Sequence, residues 1–241
     1  MGQANRFGER FSFSSFGESH GPALGVVIDG MPAGVKVDGD ILSRALTRRR
    51  PGGSALVSAR NESDLPELLS GVYQEKTLGT PIAVIVRNED ARSKDYQGLA
   101  PRQGHADDIW KIKFGHQDPR GGGRSSGRET LSRVIAGAFA EMFCKQVKPN
   151  LKVHGFASQI GTFKLSAEDR VELEKNLDHK WPEWIDQFAT RFPSSLQNSE
   201  VESLLLSAKS EGKSYGGQAE VFIEGVPLGL GQPVFHKLNQ V

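Results

Sequence analysis

The sequence of 241 residues contains a single cysteine, Cys144, so no disulfide can form within the chain. It has almost no excess charge, because 30 lysines and arginines balance 29 aspartates and glutamates, and this argues against a broad surface for nucleic acid or anionic lipid. No apolar run is long enough to cross a bilayer, and the N-terminus lacks the continuous apolar segment of a signal peptide. These absences predict a cytoplasmic protein in which any basic site is local.

The spacings that mark several kinds of active site are also missing. The sequence has no HExxH or CxxC pattern for a metal and no GxSxG nucleophile elbow. The segment GGGRSSG differs from the GxxxxGK[ST] phosphate-binding loop, and it does not follow a convincing strand as a Rossmann turn does. The sequence therefore predicts no metal site and neither of these two nucleotide-binding loops.

Glycine, in contrast, is abundant at 28 residues, and three glycines stand together in QDPRGGGRSSGRETLSRVIAGAFAEMFCKQV at positions 117–147. Apolar residues recur every three to four positions in the second half of this segment, which predicts an amphipathic helix. Ser126 followed by Glu129 matches a capping box, in which each side chain bonds a free backbone N–H of the other residue. Cys144 lies beside the apolar stripe, which favours a structural thiol over a nucleophile.

The start of this helix is a candidate anion site. A helix N-terminus presents unpaired N–H groups and a positive partial charge, and glycine lets the backbone approach a ligand closely. Arg120, Arg124 and Arg128 add full charges and paired donors. The arrangement favours phosphate as the ligand, and the alternative is a flexible loop with solvated arginines in front of an ordinary helix.

Two histidines lie in short polar motifs. His20, in FGESHG, lies in a glycine-flanked turn near the surface, where an imidazole can exchange protons at neutral pH. His105, in RQGHADD, has Arg102 on one side and Asp107 on the other, so a carboxylate can orient the imidazole while a guanidinium binds an anion. Without further support, each motif is typical of a solvated polar segment.

A third basic motif, RRRPGG, places Arg48, Arg49 and Arg50 directly before Pro51. Three arginines at the end of a helix interact favourably with the negative end of its dipole, which is a structural explanation. The functional alternative is capture of a polyanionic substrate. The run is too short, and the chain too neutral, for a nucleic-acid surface.

Hydrophobic periodicity and turn residues predict the remaining elements. Strands are predicted at 24–29, 68–73, 82–86, 152–158 and 219–224, a helix capped by Asp38 runs to about Arg49, and further helices are predicted within 165–212. Residues 87–120 are predicted to form a long irregular connection, and HKWPEWIDQFATRFPSS carries little signal. Helices and strands are mixed without strict alternation, which predicts the α+β class.

In this order, FGESHG, RRRPGG, GTPIAVIVRNEDARSKDY, GHAD and DPRGGGRSSGRET closely resemble the N-terminal part of chorismate synthase. The resemblance extends from Arg10 to Phe235, with several motifs at matching intervals. It implies one α+β domain over residues 1–241, a β-α-β sandwich of the chorismate synthase type. Because family members continue beyond the GQPVF segment, it also implies that this domain is incomplete at its C-terminus.

The resemblance implies a lyase of the shikimate pathway, on the route to the aromatic amino acids. The family converts 5-enolpyruvylshikimate 3-phosphate to chorismate by a 1,4-anti elimination of phosphate and the C6 hydrogen. It implies reduced FMN as the cofactor and NADPH as a candidate reductant. The implied partner is a small phosphorylated substrate, without nucleic acid or membrane, and the implied full-length assembly is a homotetramer.

The resemblance also implies roles for individual residues. His20 matches the family histidine assigned to protonating the departing phosphate, and His105 matches the one assigned to protonating reduced flavin. The resemblance further indicates two groups of binding residues: for the cofactor, Arg124, Ser125, Ser126 and Arg49; for the substrate, Arg48, Arg50, Arg102 and Arg128.

Two positions depart from the family pattern, since Gln103 stands in place of a proline and Ala55 in place of a basic residue. The absent third of the family sequence carries an Asn/Gly-rich flavin contact, a Lys-Pro-Thr stretch and an Arg-His-Asp motif whose aspartate assists removal of the C6 hydrogen. Two alternatives therefore stay open. One is a truncated, non-catalytic relative that binds flavin or anions, and the other, weaker one is an RNA-binding domain led by the arginine run.

Overall fold

The computed structural model describes residues 4–50, 56, 63–89, 107–118, 120–177 and 181–231. The chain forms two compact units, one made of residues 1–52 and 59–146 and the other of residues 53–58 and 147–241. Each unit has a hydrophobic core of its own, and the single domain expected over residues 1–241 stays a prediction. Among the described helices, none is both long and apolar enough to cross a membrane.

Strands and short helices follow one another irregularly along the chain. The strands are β1 Arg6–Phe7, β2 Ser12–Gly17, β3 Ala23–Asp29, β4 Pro66–Ser70, β5 Val72–Tyr73, β6 Lys76–Thr77, β7 Ile82–Arg87, β8 Lys152–Ile160, β9 Phe163–Lys164 and β10 Gly217–Glu224. The helices are α1 Gly39–Arg49, α2 Asp107–Phe114, α3 Thr130–Val147, α4 Ala167–Lys175, α5 Trp181–Asp186 and α6 Asn198–Ser210, with 3-10 helices at Arg120–Ser125 and Gly127–Glu129. This mixture confirms the predicted α+β class.

The first unit is built on a five-stranded sheet in the order β1-β2-β3-β7-β4, in which all neighbours are antiparallel. Every second residue of the two central strands is buried, and α1 and α3 complete the core. The buried side chains are Leu24, Val26, Ile28, Ile82, Val84 and Val86 from the strands and Ile41, Leu46, Leu131, Ile135 and Phe139 from the helices. The hydroxyl of Ser132 donates a buried 2.8 Å hydrogen bond to the carbonyl oxygen of Gly25, which fixes α3 on β3.

The helix predicted to run from the Asp38 cap to about Arg49 is confirmed at both ends. Asp38 accepts hydrogen bonds from the backbone N–H groups of Asp40 and Ile41, so it caps α1 at its N-terminus. The backbone N–H of Arg50 donates to the carbonyl oxygen of Leu46 and closes the last turn. The three arginines therefore lie at the C-terminus of α1, which is the negative end of the helix dipole.

Three other local predictions for the first unit are corrected. The strand expected at 68–73 is divided at Gly71, whose φ of 84° is a left-handed conformation that favours glycine. β5 then pairs with β6, and β6 lies between the strands predicted at 68–73 and 82–86, where no strand was expected. Residues 87–120 are not wholly irregular, because they contain α2, and β1 and β2 were not predicted at all.

The second unit packs α4, α5 and α6 with a three-stranded sheet in the order β10-β8-β9. Its core is largely aromatic: the buried residues include Phe156, Trp181, Ile185, Phe188 and Phe192. The segment that carried little signal in the sequence therefore supplies half of the buried residues of this core: Trp181, Ile185, Phe188 and Phe192. Short helices without a sustained apolar period leave no periodic pattern, although their aromatic side chains bury a large area.

Candidate functional site

The turn that carries His20 lies between β2 and β3 and is buried. The side chain of His20 is 7% exposed, and the hydroxyl oxygen of Ser19 lies 3.1 Å from His20 Nδ1. Gly17 begins the turn with a φ of 89°, where a Cβ would overlap the carbonyl oxygen of Ala23. The expectation of a histidine close to the surface is therefore corrected, because the backbone N–H of Ser19 donates to the carbonyl oxygen of Gly123 and the glycine-rich segment packs on the turn.

The side chain of Asn88 ties this turn to the start of α3. Its amide nitrogen donates to the carbonyl oxygens of Gly21 at 2.7 Å and Glu18 at 3.2 Å. Its backbone N–H donates to the carbonyl oxygen of Pro22 at 3.1 Å. Its carbonyl oxygen accepts a 2.6 Å hydrogen bond from Nε of Arg128. One carboxamide therefore sets the backbone around His20 and the orientation of a guanidinium together.

Asp64 joins two of the predicted binding arginines. Its Oδ1 accepts a 2.8 Å hydrogen bond from Nη1 of Arg128, and its Oδ2 accepts a 2.7 Å hydrogen bond from Nη2 of Arg49. The carboxylate is 1% exposed, and the two arginine side chains are 4% and 12% exposed. A buried carboxylate between two guanidiniums is a charge-assisted arrangement that fixes all three groups.

The glycine-rich segment has regular secondary structure. It forms a 3-10 helix over residues 120–125, in which Gly122 and Gly123 have φ values of 80° and 51°. The positive φ of Gly123 favours glycine, and a Cβ there would also come within 3.1 Å of the carbonyl oxygen of Asp118. The solvated arginines of the alternative are corrected for Arg124 and Arg128, whose side chains are mostly buried.

Arg120, at the start of this segment, is occupied by a neighbouring carboxylate. Its Nε and Nη2 atoms donate to Asp118 at 2.8 and 2.7 Å. These hydrogen bonds hold the pKa of the Asp118 carboxyl below its ordinary value, and the charge of His20 adds a smaller lowering. Asp118 and His20 are thus close enough to influence each other electrostatically.

Arg124 reaches back to the end of β2. Its Nη2 donates to the hydroxyl of Ser15 at 2.6 Å and to the side chain of Asn5 at 3.2 Å, and its Nη1 donates to the carbonyl oxygen of Gly17 at 3.0 Å. Burial is the main influence that lowers the pKa of Arg124, yet a guanidinium stays charged throughout the physiological range. The segment is therefore pinned to the strand that leads to His20.

The capping box expected at the start of the long helix is not formed, because the Ser126 hydroxyl bonds the backbone N–H of Arg128 rather than that of Glu129. Ser126 accepts from the backbone N–H of Arg128 and caps a single 3-10 turn, and α3 itself begins at Thr130. The carboxylate of Glu129 does not return to Ser126, because it forms ion pairs with Arg124 and Arg133. Competition from two guanidiniums explains the difference, since a charge-assisted bond is stronger than a neutral one.

Two serine hydroxyls in this segment are suited to an anionic ligand. Ser125 Oγ accepts a 2.6 Å hydrogen bond from Trp110 Nε1, and Ser126 Oγ accepts from the backbone at 3.3 Å. Each hydroxyl therefore keeps its own hydrogen for another acceptor, since none is found for it among the described residues. Together with the nearby guanidiniums, these donors fit the oxygens of a phosphate group.

Six predicted site residues of the first unit have described side-chain contacts, and among these contacts Asp64 links Arg49 to Arg128 while Ser126 accepts from the backbone of Arg128. The six residues are His20, Arg49, Arg124, Ser125, Ser126 and Arg128. Arg48 and Arg50 lie at the end of α1, beside Arg49. His105 and Arg102, with the departures at Gln103 and Ala55, lie outside the described residues, so the meeting of the two histidines stays a prediction.

Sequence reasoning missed two residues of this network, Asn88 and Asp64. Asn88 lies in the motif GTPIAVIVRNEDARSKDY and directly follows the β7 strand, a position at which a polar side chain can turn back to the backbone. Asp64 carries no local pattern, because both of its partners are distant in sequence. Within the described residues, no group of three His, Cys, Asp or Glu side chains is arranged to hold a metal ion.

Comparisons with known proteins point in one direction. A family model described as chorismate synthase matches residues 11–241. The chorismate synthase of Bdellovibrio bacteriovorus is 57% identical and covers 98% of this chain, and the chain covers 68% of that protein. The chorismate synthase of Phocaeicola vulgatus is 44% identical, and the chain covers 63% of its length.

A solved structure shows the same likeness in three dimensions. A crystal structure of chorismate synthase superposes with a TM-score of 0.68 at 29% sequence identity, covering 93% of this chain and 61% of the other. The chain thus spans about two thirds of the length of the proteins it resembles. This agreement supports the fold type expected from the motifs.

Proposed function

The chain belongs to the chorismate synthase family, and on that premise we propose that it serves the elimination of phosphate from 5-enolpyruvylshikimate 3-phosphate to give chorismate. The bond from ring carbon to phosphate oxygen breaks, the C6 hydrogen leaves as a proton, and the ring gains a double bond. The observation that supports this most is the network in which Asn88, Arg128 and Asp64 join the His20 turn to Arg49.

The substrate of this reaction carries a phosphate and two carboxylates, so it needs several cationic donors. We assign Arg48, Arg50, Arg102 and Arg128 to the substrate. Preorganised donors stabilise the charge that grows on a departing phosphate, at about 3–4 kcal/mol for one well-placed group. Because Arg128 is held by the buried carboxylate of Asp64, it needs little rearrangement when the charge develops.

His20 holds the proton that the departing phosphate receives in this proposal. Its burial limits access of water, and Ser19 faces one ring nitrogen at 3.1 Å. A positioned general acid contributes on the order of 100–10,000-fold in rate. His105 is assigned to proton exchange with the flavin, as the resemblance implies.

The residues proposed to hold reduced FMN fit that group. Arg124, Ser125, Ser126 and Arg49 offer guanidinium and hydroxyl donors around an ordered glycine-rich turn. When bound, the reduced flavin supplies electron density to the reacting ring, which is chemistry that amino-acid side chains do not offer. NADPH is proposed as the reductant, the cytoplasm as the location, and a homotetramer as the assembly of the full-length protein.

The test uses this chain and the same chain extended by the C-terminal segment of a longer relative. With reduced FMN and the substrate, the extended protein is expected to release phosphate, and His20→Ala should slow release about 100–10,000-fold while leaving FMN affinity within twofold. The matched control is His154→Ala, a buried histidine of the second unit. Binding of FMN without phosphate release in both proteins would instead point to a non-catalytic binding module.

A further inference from the structure

We propose that Asp64 is a positioning residue, a shared counter-ion that sets the distance and orientation of Arg49 and Arg128 for the anionic groups of the ligands. The inference rests on the proposed function for the identity of these ligands. The geometry itself does not depend on it, since each carboxylate oxygen of Asp64 binds one guanidinium at 2.7 or 2.8 Å.

Two guanidiniums that face one site repel each other and gain rotamer freedom unless a carboxylate lies between them. Asp64 provides that carboxylate at 1% exposure, where water cannot replace it. Because each oxygen is used by a different arginine, a shift of Asp64 moves both donors at once. Arg128 is further fixed by Asn88, so the pair is aligned relative to the His20 turn as well.

The backbone of Asp64 shows that this position is imposed by its surroundings. Its φ of 48° lies in the left-handed region, which most residues other than glycine avoid and which aspartate and asparagine tolerate best. Strained backbone of this kind persists where neighbouring structure determines it, and such positions cluster at ligand sites. The conformation points the short side chain between α1 and the start of α3, where both arginines end.

Arg49 also retains a donor for a ligand. Its Nε is buried, and within the described residues it makes no hydrogen bond, while its Nη2 is held by Asp64. Buried N–H groups are nearly always paired, so an acceptor is expected there when the protein is loaded. An oxygen of a phosphate or carboxylate meets that need, which links the positioning role of Asp64 to ligand binding.

The first experiment compares Asp64→Asn with Glu67→Gln. Asparagine keeps the shape and the tolerance for positive φ but removes the charge. Glu67 also accepts from an arginine, at 2.8 Å from Arg87, yet this pair is exposed and lies outside the network, so it is the matched control. We expect Asp64→Asn to raise the Kd for FMN and the KM for substrate about 10–100-fold, as misplaced binding groups do, whereas Glu67→Gln leaves both within twofold.

A second measurement follows the NMR signals of the two arginine side chains, and its result does not depend on the proposed function. In ¹⁵N-labelled protein, the Nε–Hε signals of Arg49 and Arg128 are expected to be dispersed and long-lived, and Asp64→Asn should broaden or merge them. If FMN bound to no variant, the proposed function would fail while the arginine signals still decided the positioning role. Unchanged arginine signals together with an unchanged Kd in a folded Asp64→Asn protein overturn the inference.

If Asp64→Asn does not fold, Asp64→Glu takes its place. Glutamate keeps the charge but moves the carboxylate by one methylene, so a positioning role predicts a raised Kd in a folded protein. A role in charge neutralisation alone predicts a Kd within twofold of the original, and that outcome overturns the inference.

Discussion

The carbonyl oxygen of the Asn88 side chain accepts a 2.6 Å hydrogen bond from Nε of Arg128, and this contact spans 40 positions of sequence. The same side chain holds the backbone of the His20 turn through two donated hydrogen bonds. A planar carboxamide has one acceptor side and one donor side, so it can hold a guanidinium and two carbonyl groups at once. No charged side chain of similar size offers both a hydrogen-bond donor and a hydrogen-bond acceptor.

Asn88→Asp should therefore disturb the site although it changes only one group. The aspartate can still accept from Arg128, but it loses both donations and sets a carboxylate against two carbonyl oxygens. We expect a loss of about 1–3 kcal/mol in the free energy of unfolding, measured by urea denaturation, and a lower kcat for phosphate release. Asn176→Asp is the control, since Asn176 donates to a single carbonyl, that of Glu172, in the second unit. Equal losses in both variants would contradict a special role for Asn88.

Arg124→Lys is expected to cost about 1.5–3 kcal/mol of stability, because an ammonium group cannot reproduce the buried fork of hydrogen bonds to Ser15 and Gly17. The comparison is Arg120→Lys in the same segment, where the ion pair with Asp118 is half exposed and should contribute at most about 1 kcal/mol. Thermal unfolding of the two variants measures the difference. The idea that Arg124 pins the segment fails if both variants lose the same stability.

Gly25→Ala and Gly137→Ala should act in opposite directions. At Gly25 a Cβ would overlap the ring of Phe16 and lie 2.8 Å from the carbonyl oxygen of Val84, so overpacking should cost about 1–3 kcal/mol. At the exposed Gly137, inside α3, nothing lies within 4 Å of a Cβ, and alanine should stabilise by about 0.5–1 kcal/mol. The midpoints of urea unfolding report both signs. A stabilised Gly25→Ala variant would show that β2 and β3 pack differently.

Cys144 should react slowly with iodoacetamide in the folded protein. Burial chiefly raises the pKa of its thiol, and the charge of Glu141 raises it further, so less thiolate exists at pH 8 than in the unfolded chain. The alkylation rate should rise with pH through a midpoint above the ordinary thiol value, and Glu141→Gln should move that midpoint down. The same shift means that the thiol contributes stability below the unfolded pKa and loses it as pH rises through the folded pKa. A midpoint at or below that of the urea-unfolded chain would contradict this environment.

The elements predicted best from sequence carry their signals locally. For α1, the cap at Asp38 and the apolar spacing of Ile41 and Leu46 lie within nine residues, and the structure reproduces the helix. For α5, six residues are too few to show a period, and the buried Trp181 carries no information about the chain that surrounds it. Sequence patterns thus identify a helix by its capping residues and by the periodic spacing of its apolar residues. They fail where only tertiary packing defines the helix.

The candidate site follows the same division. His20, Arg124 and Arg128 are recognisable because they lie in motifs that repeat across a family. Asp64 lies in none of the quoted motifs and Asn88 lies in GTPIAVIVRNEDARSKDY, but the roles of both depend on groups that only tertiary structure brings near. Sequence reasoning found the donors but not the side chains that orient them.

The long sequence spans of the network have a consequence for biosynthesis. Arg124 meets Ser15 across 109 positions, and Arg128 meets Asp64 across 64. At a translation speed of roughly 5–20 residues per second, Arg124 is synthesised about 5–20 s after Ser15. During that interval Asp64 has only Arg49, which precedes it in the chain, and Asn88 lacks its later partner Arg128. The contacts of Arg124 and Arg128 can therefore form only after the start of α3 has been synthesised, whereas the contact between Arg49 and Asp64 needs no residue beyond Asp64.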